Sequence, residues 1–189
     1  MMAGPRTHRA VASVVAVAAG AALLAGCSDG KTSAAPELPA STCFGAFTPT
    51  ELAPFVGTGE EVRVDAPADA RLTAGRKSAI CNIYVDGKTR FFASAERLPQ
   101  GQHFFWAPAV DEQKPEPLPF AENSKLWDGG AAIFLSCKGP TEAFELKLWL
   151  DGSTERIEQK ERRPMFAGLM KKYLDFARQQ TGCGAGAGA

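Results

Sequence analysis

Four stretches of the chain alternate apolar and polar residues with the period of two that a half-buried strand requires. In the first, Ala79 to Val85, Cys81, Ile83 and Val85 share one face while Ile80, Asn82 and Tyr84 take the other. Asp86 and Gly87 follow as a hairpin-turn dipeptide. The return strand, Thr89 to Glu96, sets Phe91, Ala93 and Ala95 against Arg90, Phe92, Ser94 and Glu96. After Asp128, Gly129 and Gly130, a third strand is predicted from Ala131 to Cys137, with Ile133, Leu135 and Cys137 on one face. The fourth, Ala143 to Leu150, alternates most cleanly, with Phe144, Leu146, Leu148 and Leu150 inward and Glu145, Lys147 and Trp149 outward. Between the second and third lies a long stretch, Leu98 to about Lys125, whose Pro108, Pro115, Pro117 and Pro119 exclude a central strand or a long helix.

Two segments switch to the helical period. Thr48, Pro49 and Glu51 have the spacing of an N-cap, a first-turn proline and a capping box, and Gly57 closes the short helix after Leu52, Phe55 and Val56. Near the other end, Phe166, Leu169, Met170, Tyr173, Leu174 and Ala177 form one apolar stripe on a helix predicted from about Pro164 to Gln180. One-sided strands belong to an antiparallel sheet with one covered face, and these helices are the cover. The expected fold class is therefore α+β, an antiparallel sheet covered on one face by a C-terminal helix and a short N-terminal one.

The first residues read as an export signal. Arg6, His8 and Arg9 precede an uncharged run from Val11 to Ala25, shorter than the roughly 20 residues that span a bilayer. It ends in Leu24, Ala25, Gly26 and Cys27, which resembles the lipobox of bacterial lipoproteins. The resemblance implies cleavage after Gly26, a diacylglyceryl thioether on Cys27, and an anchored protein on the extracytoplasmic face of the cell membrane. Two acyl chains on one residue give stable attachment. Residues 27–41, rich in Ser, Ala and Pro, then serve as lipidated cysteine and tether, residues 42–183 as a single domain, and the Gly/Ala run 184–189 as a disordered tail.

The whole chain has 21 basic and 21 acidic groups. Removing residues 1–26 takes away two arginines and no acids, leaving 19 against 21, so nothing steers the protein toward nucleic acid. With Cys27 assigned to lipid, Cys43, Cys81, Cys137 and Cys183 remain, an even number in an exported chain and without the CxxC spacing of a zinc site. Cys81 and Cys137 sit on inward strand faces, whereas Cys43 and Cys183 flank the two helices. That layout predicts two disulfides, Cys43 with Cys81 and Cys137 with Cys183, each stapling a helix to a strand.

Cysteine placement, the tether, "CNIYVDG" around Cys81, "AAIFLSC" ending at Cys137 and "QQTGC" ending at Cys183 together resemble small cell-envelope lipoproteins of high-GC actinobacteria. The resemblance spans Cys43 to Cys183 and transfers no assigned activity. More remotely, the order of helices and strands is similar to that of PsbP-like α/β/α sandwiches, which are mostly binding or accessory modules.

No catalytic signature accompanies these features. The chain after Cys27 has one histidine, His103, and neither a GxSxG elbow nor an HExxH helix. An SxxK string, Ser28 to Lys31, lies in the tether beside the lipidation site and lacks its partner motifs. No metal site and no cofactor are expected. The candidate ligand-binding residues are His103, Phe105 and Trp106, in a bulky aromatic run at the mouth of the proline-bearing stretch. There the rings either close the core or line a groove. Sequence thus points to a non-catalytic envelope module with an unidentified protein or wall-polymer partner. The alternative is a small secreted hydrolase with an unrecognised site.

Overall fold

A computed structural model describes residues 37–72, 76–98, 108–137, 142–151 and 157–181. Seven strands form one sheet in the order β1-β2-β3-β7-β6-β5-β4, with every neighbouring pair antiparallel. They are β1 (Val62–Asp65), β2 (Ser78–Val85), β3 (Lys88–Leu98), β4 (Glu116–Leu118), β5 (Ala121–Trp127), β6 (Gly130–Cys137) and β7 (Glu142–Leu150). Two meanders, β1 to β3 and β4 to β7, join where β3 pairs with β7. Three helices complete the described residues: α1 (Pro49–Val56), the single turn α2 (Pro108–Asp111) and α3 (Gln159–Thr181).

The four expected strands are β2, β3, β6 and β7, and three more add to them. Of these, β4 and β5 fall largely in the stretch read as a proline-bearing loop, but Pro117 lies in β4 at the sheet edge, where a missing N–H is tolerated. Asp86 and Gly87 form the β2–β3 turn with φ of 51° and 73°, the left-handed pair that matches strand twist. The Asp86 carboxylate then accepts the Glu60 and Glu61 N–H groups at 2.9 and 3.0 Å, fixing the approach to β1.

Register assembles the core in rows. Cys81, Ala93, Leu148, Ala131 and Leu126 lie side by side across five strands, and Ala79, Ala95, Leu146 and Ile133 form the row beside them. Alanines at the sheet centre leave space for the large side chains above. From α1 come Leu52, Phe55 and Val56, and from α3 Phe166, Met170, Tyr173 and Leu174, all buried in the same cluster. Phe55 sits 4.9 Å from Phe166 and 5.9 Å from Phe91, ring centre to ring centre, so helix, helix and sheet meet at one point. Lys172 binds both oxygens of Glu51 at 2.5 and 2.6 Å and clamps α3 to α1. The Tyr173 hydroxyl is buried with no hydrogen-bond partner among the described residues, and desolvation pushes its ionisation well above the ordinary phenol value.

A turn from Thr42 to Phe47 precedes α1, with Cys43, Phe44 and Gly45 all at positive φ. Non-glycine residues rarely hold that conformation unless their surroundings fix it. Here both are fixed: Phe44 packs on Tyr173, and Cys43 is disulfide-bonded to Cys81 of β2. This is the first of the two expected bridges. It closes a separation of 38 residues, for which the chain-entropy relation gives about 4 kcal/mol. Cys183 lies outside the described residues, as does the side chain of Cys137, whose backbone ends β6.

Both full helices cover the same face, giving two layers, and the described residues place only the turn α2 against the other face. That arrangement lends no support to an α/β/α sandwich of the PsbP-like kind. Helix α3 also begins at Gln159, five residues before the expected start at Pro164. The added turn is held by polar contacts that leave no apolar periodicity to read.

Candidate functional site

The open face of the sheet carries a row of large rings. Register sets Phe92 beside Trp149, Trp149 beside Gly130, and Gly130 beside Trp127. Two residues, Asp128 and Gly129, make the tight turn between β5 and β6, so Trp127 and Gly130 are its closing pair. A Cβ at Gly130 would lie 2.3 Å from the Leu148 carbonyl oxygen and 2.7 Å from Cζ2 of Trp127. The absent side chain is therefore where the Trp127 ring rests. In that position Trp127 meets Trp149 edge to face, centroids 5.5 Å apart, and buries completely with Val110 and Ala132.

Polar groups rim these rings because α3 reaches the turn. Arg163 donates from Nε to Asp128 at 2.7 Å, and its terminal nitrogens approach the Gln113 and Lys114 carbonyls at 3.3 Å and Glu116 at 3.5 Å. One guanidinium thus joins the helix, the β5–β6 turn and the segment after α2. Its hydrogen bond holds the Asp128 carboxyl below the usual carboxylate range, and the same bond raises Arg163. Gln159 adds a 3.3 Å contact to the second Asp128 oxygen. Arg162 donates to the Ile157 carbonyl at 2.9 Å, which orients it over the same end of the sheet.

Between rings and rim is an open cleft of about 360 Å³, lined by Trp127 and Trp149, by Asp128 and Asp151, and by Arg162 and Gln113. The Trp127 indole N–H is buried and has no hydrogen-bond partner among the described residues. Its Nε1 stands 3.3 Å from the position a Gly129 Cβ would take, and Gln113 Oε1 stands 3.7 Å from that position. A buried donor left without an acceptor costs stability. A second cavity of about 400 Å³ flanks β1, between residues 37–40 and Val62 and Val64. None of the buried, unpartnered polar atoms belongs to the residues that line it.

Farther along the open face, Glu145 is buried beside Lys147, with 3.1 Å between charged atoms. Desolvation raises its pKa above the ordinary glutamate value, although Lys147 opposes the shift.

Of the residues singled out from sequence, Cys43 and Cys81 come together as a bridge and serve structure. Cys27, the lipidation candidate, and His103, Phe105 and Trp106, the ligand candidates, lie outside the described residues. Among the cleft residues, Trp149 takes the outward face that its alternation predicts and Asp128 and Gly129 the turn before β6, whereas Arg162 and Arg163 belong to a basic excess on the last helix that in sequence reads as a solvated outer face. The sequence signal was Asp-Gly-Gly directly after a tryptophan, a turn that frees space beside a ring. Compared with known proteins, the chain matches no family model, no curated protein and no solved structure.

Proposed function

We propose that this chain is a lipid-anchored extracytoplasmic protein whose domain is a non-catalytic binding module of the cell envelope. The observation that carries the proposal is the buried Cys43–Cys81 disulfide, because such bridges form and persist in oxidising compartments outside the cytoplasm. An export signal ending in the lipobox at Cys27 supplies the route and the anchor. Cys137 with Cys183 would be the second bridge in the same compartment. Cysteine placement keeps small actinobacterial envelope lipoproteins as its proposed kin.

A binding role is favoured by the groups in the cleft. Asp128, held ionised by Arg163, acts as a hydrogen-bond acceptor and not as a general acid near neutral pH. Ring faces and fixed donors around it hold a ligand without attacking it.

The test is Cys27→Ala in a bacterial host that processes lipoproteins. The variant is expected to leave the membrane fraction or to accumulate as unprocessed precursor, and mass spectrometry of the parent protein is expected to find acyl chains on Cys27. A parent protein that keeps its signal segment and carries no acyl chain on Cys27, or a Cys27→Ala variant processed and membrane-associated as the parent is, overturns the anchor.

A further inference from the structure

We infer that the outer edge of β1 is where two copies of this chain meet, strand against strand, in a twofold antiparallel pair. The contact is separate from the cleft over Trp127 and does not require it.

The two ends of the sheet are finished differently. Strand β4, at one end, has three residues, and Pro117 removes an N–H from it. Proline and shortness are ordinary guards against edge-to-edge association. Strand β1, at the other end, has no proline among its four residues, VRVD. Its ladder with β2 shows which backbone groups are left over. The Asp86 N–H donates to the Glu61 carbonyl at 2.9 Å, while Val62 lies opposite Val85 and Arg63 opposite Tyr84. Hydrogen-bonded and non-hydrogen-bonded pairs alternate along an antiparallel ladder, so Arg63 and Asp65 bond to β2 while Val62 and Val64 turn their N–H and C=O groups outward. Among the described residues no hydrogen bond takes up those outward groups. On the core side of the same edge lies the cavity of about 400 Å³ between residues 37–40 and Val62 and Val64. A strand added to β1 places every second side chain on that side.

The side chains of β1 choose the occupant. Half-buried Val62 and Val64 pack on the core cluster, whereas exposed Arg63 and Asp65 take the open face, with Arg63 4.0 Å over the Tyr84 ring. Outward backbone groups bond only to outward backbone groups, so a second β1 has four registers, one for each residue placed on the twofold axis. With the axis at Arg63 or at Asp65, two like charges face each other. With the axis at Val62, Val64 faces Glu60 and an acid lies on the apolar side. With the axis at Val64, Arg63 of each copy faces Asp65 of the other, and Val64 meets Val64 beside the cavity. Only this last register pairs opposite charges and keeps apolar groups together. The strand is complementary to itself.

Four residues a side bury far less than the roughly 1,200 Å² of a stable soluble complex. The pair is therefore weak between free copies and forms where an anchor holds copies together, at an effective concentration on the order of millimolar.

The test is oxidative cross-linking of full-length Val64→Cys protein in isolated membranes, with Glu122→Cys, exposed near the opposite edge, as the control for random collision. Facing residues of a hydrogen-bonded pair stand about 5.5 Å apart, Cα to Cα, within the span of a disulfide. The expected result is a dimer joined between the two position-64 cysteines, identified by mass spectrometry, at least tenfold above the control. Charge exchange then reads the register. In the Val64→Cys chain, Arg63→Asp or Asp65→Arg sets like charges opposite each other at two places, and either is expected to lower cross-linking about tenfold. The double variant restores opposite charges and is expected to recover it to within about threefold of the parent, each yield normalised to that thiol's reactivity toward a monofunctional maleimide.

Cross-linking at Val64 no greater than at Glu122 overturns the inference. So does a double variant that cross-links as poorly as the two singles, or singles that cross-link as well as the parent. If Cys27 carries no lipid, the same measurement is made on the soluble chain at about 1 mM, the concentration an anchor would have supplied. Cross-linking by that chain refutes the anchor alone, and its absence in a lipidated chain refutes the strand pair alone.

Discussion

Gly130→Ala tests whether the cleft is built the way its geometry implies. The added methyl would lie 2.3 Å from the Leu148 carbonyl oxygen and 2.7 Å from the Trp127 ring, both far inside contact distance. Leu148 belongs to β7, paired on both sides, so its carbonyl cannot retreat without parting the sheet. Trp127 must give way instead, losing its seat against Trp149. Overpacking of this kind costs about 1–3 kcal/mol. Full expulsion of a tryptophan side chain, exposing about 200 Å² at about 25 cal/mol per Å², adds at most about 5 kcal/mol. Alanine returns about 0.4–1 kcal/mol by restricting the unfolded chain. A partial displacement then predicts a loss of about 3 kcal/mol, measured by urea unfolding with tryptophan fluorescence. Gly168→Ala is the control, since nothing lies within 4 Å of its added Cβ on exposed α3. There the better helix propensity of alanine should stabilise by about 0.8 kcal/mol. If Gly130→Ala changes stability by less than about 0.5 kcal/mol, Trp127 does not occupy that space and the account of the cleft fails.

Two further predictions concern buried and paired groups. Tyr173→Phe removes an unpartnered hydroxyl but keeps the ring against Phe44 and Phe47, so urea unfolding should show a gain of about 1 kcal/mol; a loss of comparable size would mean the hydroxyl is satisfied. Asp128 has a folded pKa depressed below its ordinary 3.8, so its contribution is present above that value and disappears as pH falls through the lower folded value. Between about pH 6 and about pH 2 the parent should therefore lose more stability than Asp128→Asn, and parallel curves would remove the Arg163 bond from the account.

How much of this was legible in sequence depends on dimension. Strands β2, β3, β6 and β7 announce themselves because each is long enough to alternate and has one face in the core. Strand β1 is only four residues, and β5, AENSKLW, carries four consecutive polar residues, Glu122 to Lys125, before its last two positions, as suits a strand near the sheet edge. Strand β1 does alternate, with Val62 and Val64 half-buried and Arg63 and Asp65 exposed, but four residues are too few to betray a strand, and β5 has no such period. The cleft was less legible still. Its tryptophans are 22 positions apart in the chain and meet only through the register of β5, β6 and β7. Helix α3 hid its first turn for a related reason: Arg163 is fixed by Asp128, 35 residues earlier, and hydrophobic spacing records no such contact.

The Cys43–Cys81 bridge also decides how the domain bears load. Tension applied through the N-terminal side of the chain reaches Cys43 before α1 or β1. The sulfur–sulfur bond then passes it directly into β2, second from the β1 edge and flanked by β1 and β3 within the sheet. Helix α1 and strand β1 lie in the covalent loop between the two cysteines, so the pull goes around them. They stay folded as slack, while the force is resisted by the hydrogen bonds of β2 with its neighbours. Reduction removes the bypass, and the same pull would unravel the turn at Thr42 to Phe47 and then α1.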